Sequence, residues 1–299
     1  SILFLVPLFV ETFSNTIWRT AQKQGQTRTL RLALTASSTM LKLGLDRREK
    51  FFASILEKFG GNLKYIICGG APLDPRYIKE FRAMGIDLML GYGITECSPI
   101  VSVNASLNGR RAADETVGWT FPSVEVKIDQ PDYTGSGEVL VRGDNVMMGY
   151  YNDPYSTADV FTDGWFRTGD LGHLNKDGSL TITGRKKNLI ILSNGENVSP
   201  EEIESYVSSL PLIKEVMAFG LSSSSHADDV RLALMVYPDP ELTAGMSSYE
   251  ILEQLQTQID QINETLPVYK QIQMIKLRDS EFEKTATKKI KRSTILEKR

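Results

Sequence analysis

At 299 residues the chain has room for two domains, or for one large and one small. Hydrophobic residues form 41% of it, charged residues 24%, and the net charge is −3, a balance that does not suggest a nucleic-acid binder, whose affinity would rest on clustered positive charge. The two cysteines, Cys68 and Cys97, make no C-x-x-C pair, and the two histidines, His173 and His226, argue against a His-ligated zinc site.

The opening apolar stretch, Ser1 to Val10, is shorter than the ~20 residues a membrane span needs and reads as a buried strand. No secretory leader is apparent, so a reducing, cytoplasmic setting is expected. A chain that opens without methionine on such a strand reads as a piece of something longer. Thr35-Ala36-Ser37-Ser38-Thr39-Met40 has the look of a helix start. Leu63 to Cys68 is an apolar run of strand length, followed by Gly69-Gly70-Ala71-Pro72-Leu73. Asp74 then stands where an N-cap belongs, Pro75 fits the first helical turn, and Gly85 ends the helix. Ile86 to Leu90 is another buried strand, again closing on a glycine loop. Strand, loop, helix and strand in this order imply a parallel sheet covered by helices, and such sheets bind ligands in loops beyond the C-terminal ends of the strands.

Between about Val117 and Ile182 the hydrophobic period shortens to two. Val124 to Ile128 and Glu138 to Arg142 alternate around a turn at Thr134-Gly135-Ser136-Gly137. His173-Leu174 and Leu180 to Ile182 flank Asn175-Lys176-Asp177-Gly178, a second hairpin signal. A small antiparallel sheet or barrel is expected here. After Arg185 the pattern becomes α+β. Ser199 caps a helix with Pro200 in its first turn, and Lys214 to Phe219 and Val230 to Tyr237 read as strands. Ser248 begins a helix with an apolar stripe of Ile251, Leu252, Leu255, Ile259, Ile262 and Leu266, and Lys270 to Leu277 is a third strand. A domain boundary near Arg185 and Lys187 follows.

Three distant stretches carry the chemistry: Gly91-Tyr92-Gly93-Ile94-Thr95-Glu96; Thr168-Gly169-Asp170-Leu171 with Gly184-Arg185-Lys186-Lys187; and Lys284-Thr285-Ala286-Thr287-Lys288-Lys289-Ile290-Lys291-Arg292. They supply a hydroxyl and a carboxylate on a glycine loop, an acceptor-only carboxylate suited to a diol, and a late lysine on a long stem. Each alone also reads more plainly, as a polar turn after a strand, a turn aspartate, and a solvated basic tail open to nucleic acid or anionic lipid. In order and separation they resemble the adenylate-forming superfamily of acyl-CoA synthetases, luciferases and peptide-synthetase adenylation domains, over Leu63 to Arg292.

That resemblance implies an α/β plus α+β fold. Residues 1–185 would be the C-terminal part of the large AMP-binding domain, with a parallel sheet and then the antiparallel one, and residues 186–299 a complete, mobile small domain. It implies ATP-dependent activation of a carboxylic acid to an acyl-adenylate and then acyl-CoA, with ATP, Mg2+ and coenzyme A. Lys289, Thr95 and Glu96 would be catalytic, with Glu96 the metal ligand. Gly70, Ala71, Pro72, Gly91, Tyr92, Gly93, Thr95, Asp170 and Arg185 would surround the nucleotide, Tyr92 against adenine and Asp170 on the ribose hydroxyls. Lys288 stands where glycine is usual and is the fallback for Lys289. Lys187 matches the hinge, and Ser193, Asn194 and Gly195 match the loop presented to CoA. Lys187→Pro is accordingly expected to impair thioester formation more than adenylation, and equal loss in both half-reactions would count against the hinge.

The superfamily's Ser/Thr/Gly-rich phosphate loop has no counterpart here and is expected on sequence preceding Ser1. The isolated polypeptide is therefore expected to bind AMP weakly at best and not to turn over. The motifs are most similar to those of bacterial long-chain fatty acyl-CoA synthetases, with Phe9 and Val10 at the acyl pocket and Val10 in a slot where many relatives carry histidine. An acyl-carrier-protein or aryl-acid ligase stays open, as do a non-catalytic nucleotide-binding fragment, peripheral membrane contact and the oligomeric state. Nucleic acid is not an expected partner.

Overall fold

Proline at position 7 sets the beginning of the fold. In the computed structural model, which describes residues 1–107, 110–223, 226–285 and 290–292, strand β1 (Ile2–Leu5) is only four residues long, because Pro7 opens helix α1 (Pro7–Lys23). Proline has no N–H to lose at a first helical position and its fixed φ favours the turn. The expectation of one buried strand from Ser1 to Val10 is thus corrected twice: the strand stops at Leu5, and Ile2, Leu3 and Phe4 are exposed.

Helices α2 (Thr27–Lys42) and α3 (Arg48–Lys58) follow, then β2 (Tyr65–Gly69), α4 (Pro75–Met84) and β3 (Asp87–Gly93). The Thr35–Met40 stretch lies inside α2 rather than at its start. Its hydroxyls are satisfied within the fold: Thr35 and Thr39 donate to the carbonyls of Arg31 and Thr35, and Ser37 donates to Ala83 O at 2.7 Å. Helix α4 begins and ends as expected. The Asp74 carboxylate accepts from Arg76 N at 2.8 Å, and Gly85 takes a left-handed φ of 103° at the C-cap.

Strands β1, β2 and β3 are parallel, in register Ile2↔Tyr65 and Ile66↔Leu88. Strands β4 (Ile100–Val103) and β7 (Trp119–Thr120) extend the sheet antiparallel, and β5 (Ser106–Leu107) and β6 (Arg110–Arg111) form a short hairpin between them. The helices cover one core, where Val10, Phe52, Ile66, Ile78, Phe81 and Leu88 are all essentially inaccessible.

A second sheet carries the alternating segments: β8 (Val124–Asp129) and β9 (Gly137–Gly143) form the first hairpin, Val124↔Gly143 through Asp129↔Glu138. After α5 (Pro154–Val160), which the sequence pattern did not suggest, come β10 (Phe161–Thr162), β11 (Trp165–Leu174) and β12 (Leu180–Arg185). The order is β10-β11-β9-β8, with β12 paired to β11. Asn175 N donates to Ser179 O across the expected second turn.

The described residues divide into two units, Ser1–Thr168 with Gly172–Ile182, and Gly169–Leu171 with the residues from Thr183 onward. The second unit contains a two-stranded hairpin, β13 (Ile190–Ile191) and β14 (Asn197–Val198), then α6 (Pro200–Val207). Long antiparallel strands β15 (Ile213–Ser223) and β16 (His226–Pro238) follow, then α7 (Ser248–Asn263) and β17 (Met274–Leu277), parallel to β16. Ser247 and Glu250 cap α7 reciprocally. The third strand is shorter than expected, because Val268–Lys270 is a 3-10 turn after Pro267. Ile203, Val207, Leu232, Leu234, Leu255 and Ile259 form this unit's core.

Candidate functional site

The glycine loops of the first unit lie side by side because β2 and β3 are parallel and Gly69 pairs with Gly91. A methyl at Gly69 would come within 3.0 Å of Gly91 O, and Gly70 adopts φ +87°, so glycine suits both positions at the end of β2. Ala71 and the exposed Pro72 continue that rim. Tyr92, expected against adenine, is 8% exposed and packs with Cys97, Val101, Val124 and Val139. At Gly93 the ladder shifts register against β4, and an added Cβ would lie 1.9 Å from Pro99 O.

Beyond that bulge, Thr95–Cys97 make one 3-10 turn, with Thr95 exposed and Glu96 half-buried. The turn closes on Ser98 at φ 55°, a left-handed conformation unusual for a residue other than glycine. Cys97 is fully buried, and burial, then the Glu96 charge, push its thiol up to about 11. Glu96 is held from two directions by one loop. Met147 N donates to its carbonyl at 2.8 Å, and the Tyr150 hydroxyl donates to its carboxylate Oε1 at 3.0 Å. Asn145 braces the same turn, its amide donating to Cys97 O and Ile100 O. Burial and then Glu96 raise the Tyr150 phenol above its ordinary value. Sequence reasoning missed Asn145 and Tyr150. The available signal was Met147-Met148-Gly149-Tyr150-Tyr151, an apolar and aromatic run shortly after β9 in which Met148 and Tyr151 are exposed.

In the second unit Asp170 is 3% exposed, and Arg185 Nε lies 2.7 Å from its Oδ1. The two residues expected on one sugar are therefore paired with each other. Their charges balance at a position where a lone carboxylate would be costly. Lys187 is exposed in the 3-10 turn Lys186–Asn188. Ser193, Asn194 and Gly195 make the tight turn between β13 and β14. Ser193 Oγ donates to Val230 O at 3.1 Å, Asn194 Oδ1 accepts from Glu196 N at 3.1 Å, and Gly195, at φ +81°, has open space around it. Lys289 and its fallback Lys288 lie outside the described residues. Phe9 and Val10 do not line one surface: Phe9 is exposed, whereas Val10 sits in the helix–sheet core, since neighbours on a helix point about 100° apart.

Among the described residues no three His, Cys, Asp or Glu side chains gather to hold a metal ion unaided. A single carboxylate beside an exposed hydroxyl instead fits Mg2+, which is ordinarily held by one or two carboxylates together with phosphate oxygens and water. The glycine rim, Thr95 and the braced Glu96 together suit a phosphorylated ligand.

The profile of the AMP-binding enzyme family matches residues 1–151, and that of the AMP-binding enzyme C-terminal domain matches residues 187–298. The chain belongs to the AMP-binding enzyme family. Among curated relatives in the family, the long-chain-fatty-acid–CoA ligase FadD15 of Mycobacterium bovis is 32% identical over 260 residues, covering 80% of this chain and 41% of its own length. The indoleacetate–CoA ligase of Aromatoleum aromaticum is 40% identical over 164 residues, covering 53% of this chain and 32% of its own. This chain therefore spans less than half the length of the curated relatives it matches. Among solved structures, o-succinylbenzoate coenzyme A synthetase of Bacillus subtilis, in complex with ATP and magnesium ion, superposes with a TM-score of 0.63 at 26% identity, over 83% of this chain and 50% of that one.

Proposed function

We propose that this chain takes part in an ATP-dependent acid–thiol ligation. A carboxylate oxygen bonds to the α-phosphorus of ATP and pyrophosphate leaves; the thiol of coenzyme A then attacks the acyl carbonyl and AMP leaves. The observation that carries this reading is the loop from Gly91 to Glu96, in which a backbone bulge turns an exposed hydroxyl and a braced carboxylate out from the end of a parallel strand. Both reactants of the first step are anionic, so positioning and charge neutralisation dominate the barrier. In this reading Thr95 donates a hydrogen bond to a phosphate oxygen. Glu96, fixed by Tyr150, holds Mg2+, which when bound neutralises charge on the phosphates. Asp170, oriented by Arg185, accepts from the ribose hydroxyls, and Lys289 carries positive charge to the reacting carboxylate and phosphate. The turn at Lys187 is the hinge, and the open turn at Gly195 takes the arm of coenzyme A.

The acid in this proposal is a long-chain fatty acid, as the name of the M. bovis relative suggests. An aryl acid is the second reading, favoured by the indoleacetate ligase and the o-succinylbenzoate synthetase among the similar proteins. The reaction would run in the cytoplasm within a protein of the relatives' length. No described helix is long and apolar enough to cross a membrane. Calorimetry with AMP and with non-hydrolysable fatty-acyl and aryl-acyl adenylates, on this chain and on Asp170→Asn, tests the proposal. Weak binding by the parent chain, lost in the variant and tighter for the fatty-acyl analogue, is expected. Absence of binding by a folded chain would refute the nucleotide site, and ATP-dependent acyl-CoA formation by this chain alone would refute its dependence on further sequence.

A further inference from the structure

The last described residues of the second unit are tied down by a connected set of polar side chains. Arg292 Nη2 lies 2.6 Å and 2.8 Å from the two carboxylate oxygens of Glu204, and Arg292 Nη1 donates to Ala218 O at 3.2 Å. Glu204 Oε1 in turn accepts from Ala218 N at 2.7 Å. The pair thus grips both polar groups of one residue of β15. One turn earlier on α6, Glu201 lies 3.6 Å from the same guanidinium nitrogen. Its Oε1 accepts from the Asn188 amide at 2.5 Å, and its Oε2 lies 3.1 Å from Ser199 Oγ, which donates to Thr183 O. This explains why Ser199 stands at the N-cap position of α6 without capping it.

The near side of the C-terminal lysine segment is anchored separately. Lys284 pairs with Glu215, whose other oxygen accepts from Phe282 N at 2.8 Å. Lys284 and Ile290 bridge antiparallel, and Lys291 N donates to Glu283 O at 2.8 Å. Residues on both sides of Lys289 are therefore held, one side to β15 and the other to α6. Through Glu201 the same helix also holds the turn Lys186–Asn188.

A partly buried ion pair of this kind rarely adds stability beyond what apolar residues of similar volume would give. What it fixes is geometry. We propose that Arg292 and Glu204 are positioning residues, which with Glu201 register the residues that follow Lys289, Ile290–Arg292, and the Lys186–Asn188 turn on one helix, so that the two keep a set relation when the small unit changes pose. The role in turnover rests on the proposed function, in which Lys289 acts in adenylation; the mechanical coupling does not.

Hydrogen exchange with mass spectrometry on this chain tests the coupling directly. Arg292→Gln is expected to speed amide exchange at Ile290–Lys291 and also at Lys186–Asn188 by about tenfold or more, the effect of losing a hydrogen bond to a charged group. Exchange in the core of α7 should stay at the parent rate. Glu201→Gln should speed exchange at Lys186–Asn188 alone. Arg292→Lys, which keeps the charge but not the planar fork, should fall between parent and Arg292→Gln. An Arg292→Gln effect confined to its own neighbours, or one that spreads equally into α7, overturns the proposal. In a protein of the relatives' length, ATP–pyrophosphate exchange separates the two layers. If Lys289→Ala is inert there, the role of Lys289 fails and the coupling stands. If Lys289→Ala is disabling but Arg292→Gln leaves kcat unchanged, the positioning role fails.

Discussion

Replacing Gly93 by alanine probes how tightly the candidate loop is built. The backbone at Gly93 has no left-handed φ, so strain in the dihedral is not at issue. The obstacle is space: the new Cβ would lie 1.9 Å from Pro99 O, 2.8 Å from Pro99 C and 2.9 Å from Ile100 Cα. All three are backbone atoms of the chain entering β4, so no side chain can swing aside. Relief requires β4 to move off β3 by roughly 1 Å or more, which breaks the Gly93↔Ile100 pairing and displaces the Thr95–Cys97 turn. Overpacking ordinarily costs about 1–3 kcal/mol, and rigid neighbours place this case at or above the upper end. Gly195→Ala is the control, with no atom within 4 Å but φ at +81°, so its cost is the left-handed penalty of about 1–2 kcal/mol. Urea unfolding followed by tryptophan fluorescence is the assay. Trp18, Trp119 and Trp165 all belong to the first unit, so fluorescence reports the unit containing Gly93, while far-UV circular dichroism also follows the second. Gly93→Ala is expected to lower the fluorescence midpoint, and Gly195→Ala only the dichroism transition. A Gly93→Ala protein as stable as its parent would refute the close approach of β3 and β4.

Leu255→Ala removes a fully buried side chain of α7 and should destabilise the second unit by about 2–5 kcal/mol, visible by circular dichroism and not by fluorescence. Tyr150→Phe deletes the hydroxyl that fixes Glu96 and should weaken Mg2+-dependent nucleotide binding by about tenfold, as loss of a ligand-orienting partner commonly does. Calorimetry with and without Mg2+ checks this, and an equal loss in its absence would count against a metal role for Glu96. Burial pushes the Glu204 carboxyl up from 4.5 to about 7, against the opposing pull of Arg292 and with a smaller contribution from Glu201. The folded state therefore binds the extra proton between those two values, so stability falls as pH rises through that window, by about 3 kcal/mol at most. Glu204→Gln should flatten that slope in unfolding experiments at pH 4.5 to 7.5, and an unchanged slope would refute the assignment.

Features whose partners lie close in sequence were legible before the structure. Asp74 and Gly85 bound their helix as capping chemistry requires, and the turn before Gly137 joins two alternating strands in register. Where the reading failed, a local signal was outweighed. The apolar run Ser1–Val10 has strand composition, but Pro7 starts a helix within it. The hydroxyls of Thr35 and Thr39 suggested a helix start, yet they lie inside α2 and bond back along it. The braces of the candidate site were hidden for another reason. Tyr150 meets Glu96 across 54 positions and Arg292 meets Glu204 across 88, distances over which spacing carries no information. Asp170 and Arg185 were found as a pair by their motifs, although their mutual ion pair was not foreseen.

The outermost strand has a practical consequence. Among the described residues Ile2–Leu5 offers one row of backbone groups with no neighbouring strand, beside the exposed side chains of Ile2, Leu3 and Phe4 and without a lysine or proline among them. Such a margin recruits other chains by ladder formation. Purified material should self-associate through it as concentration rises, and a charged residue at Leu3 is the simplest remedy for solubility.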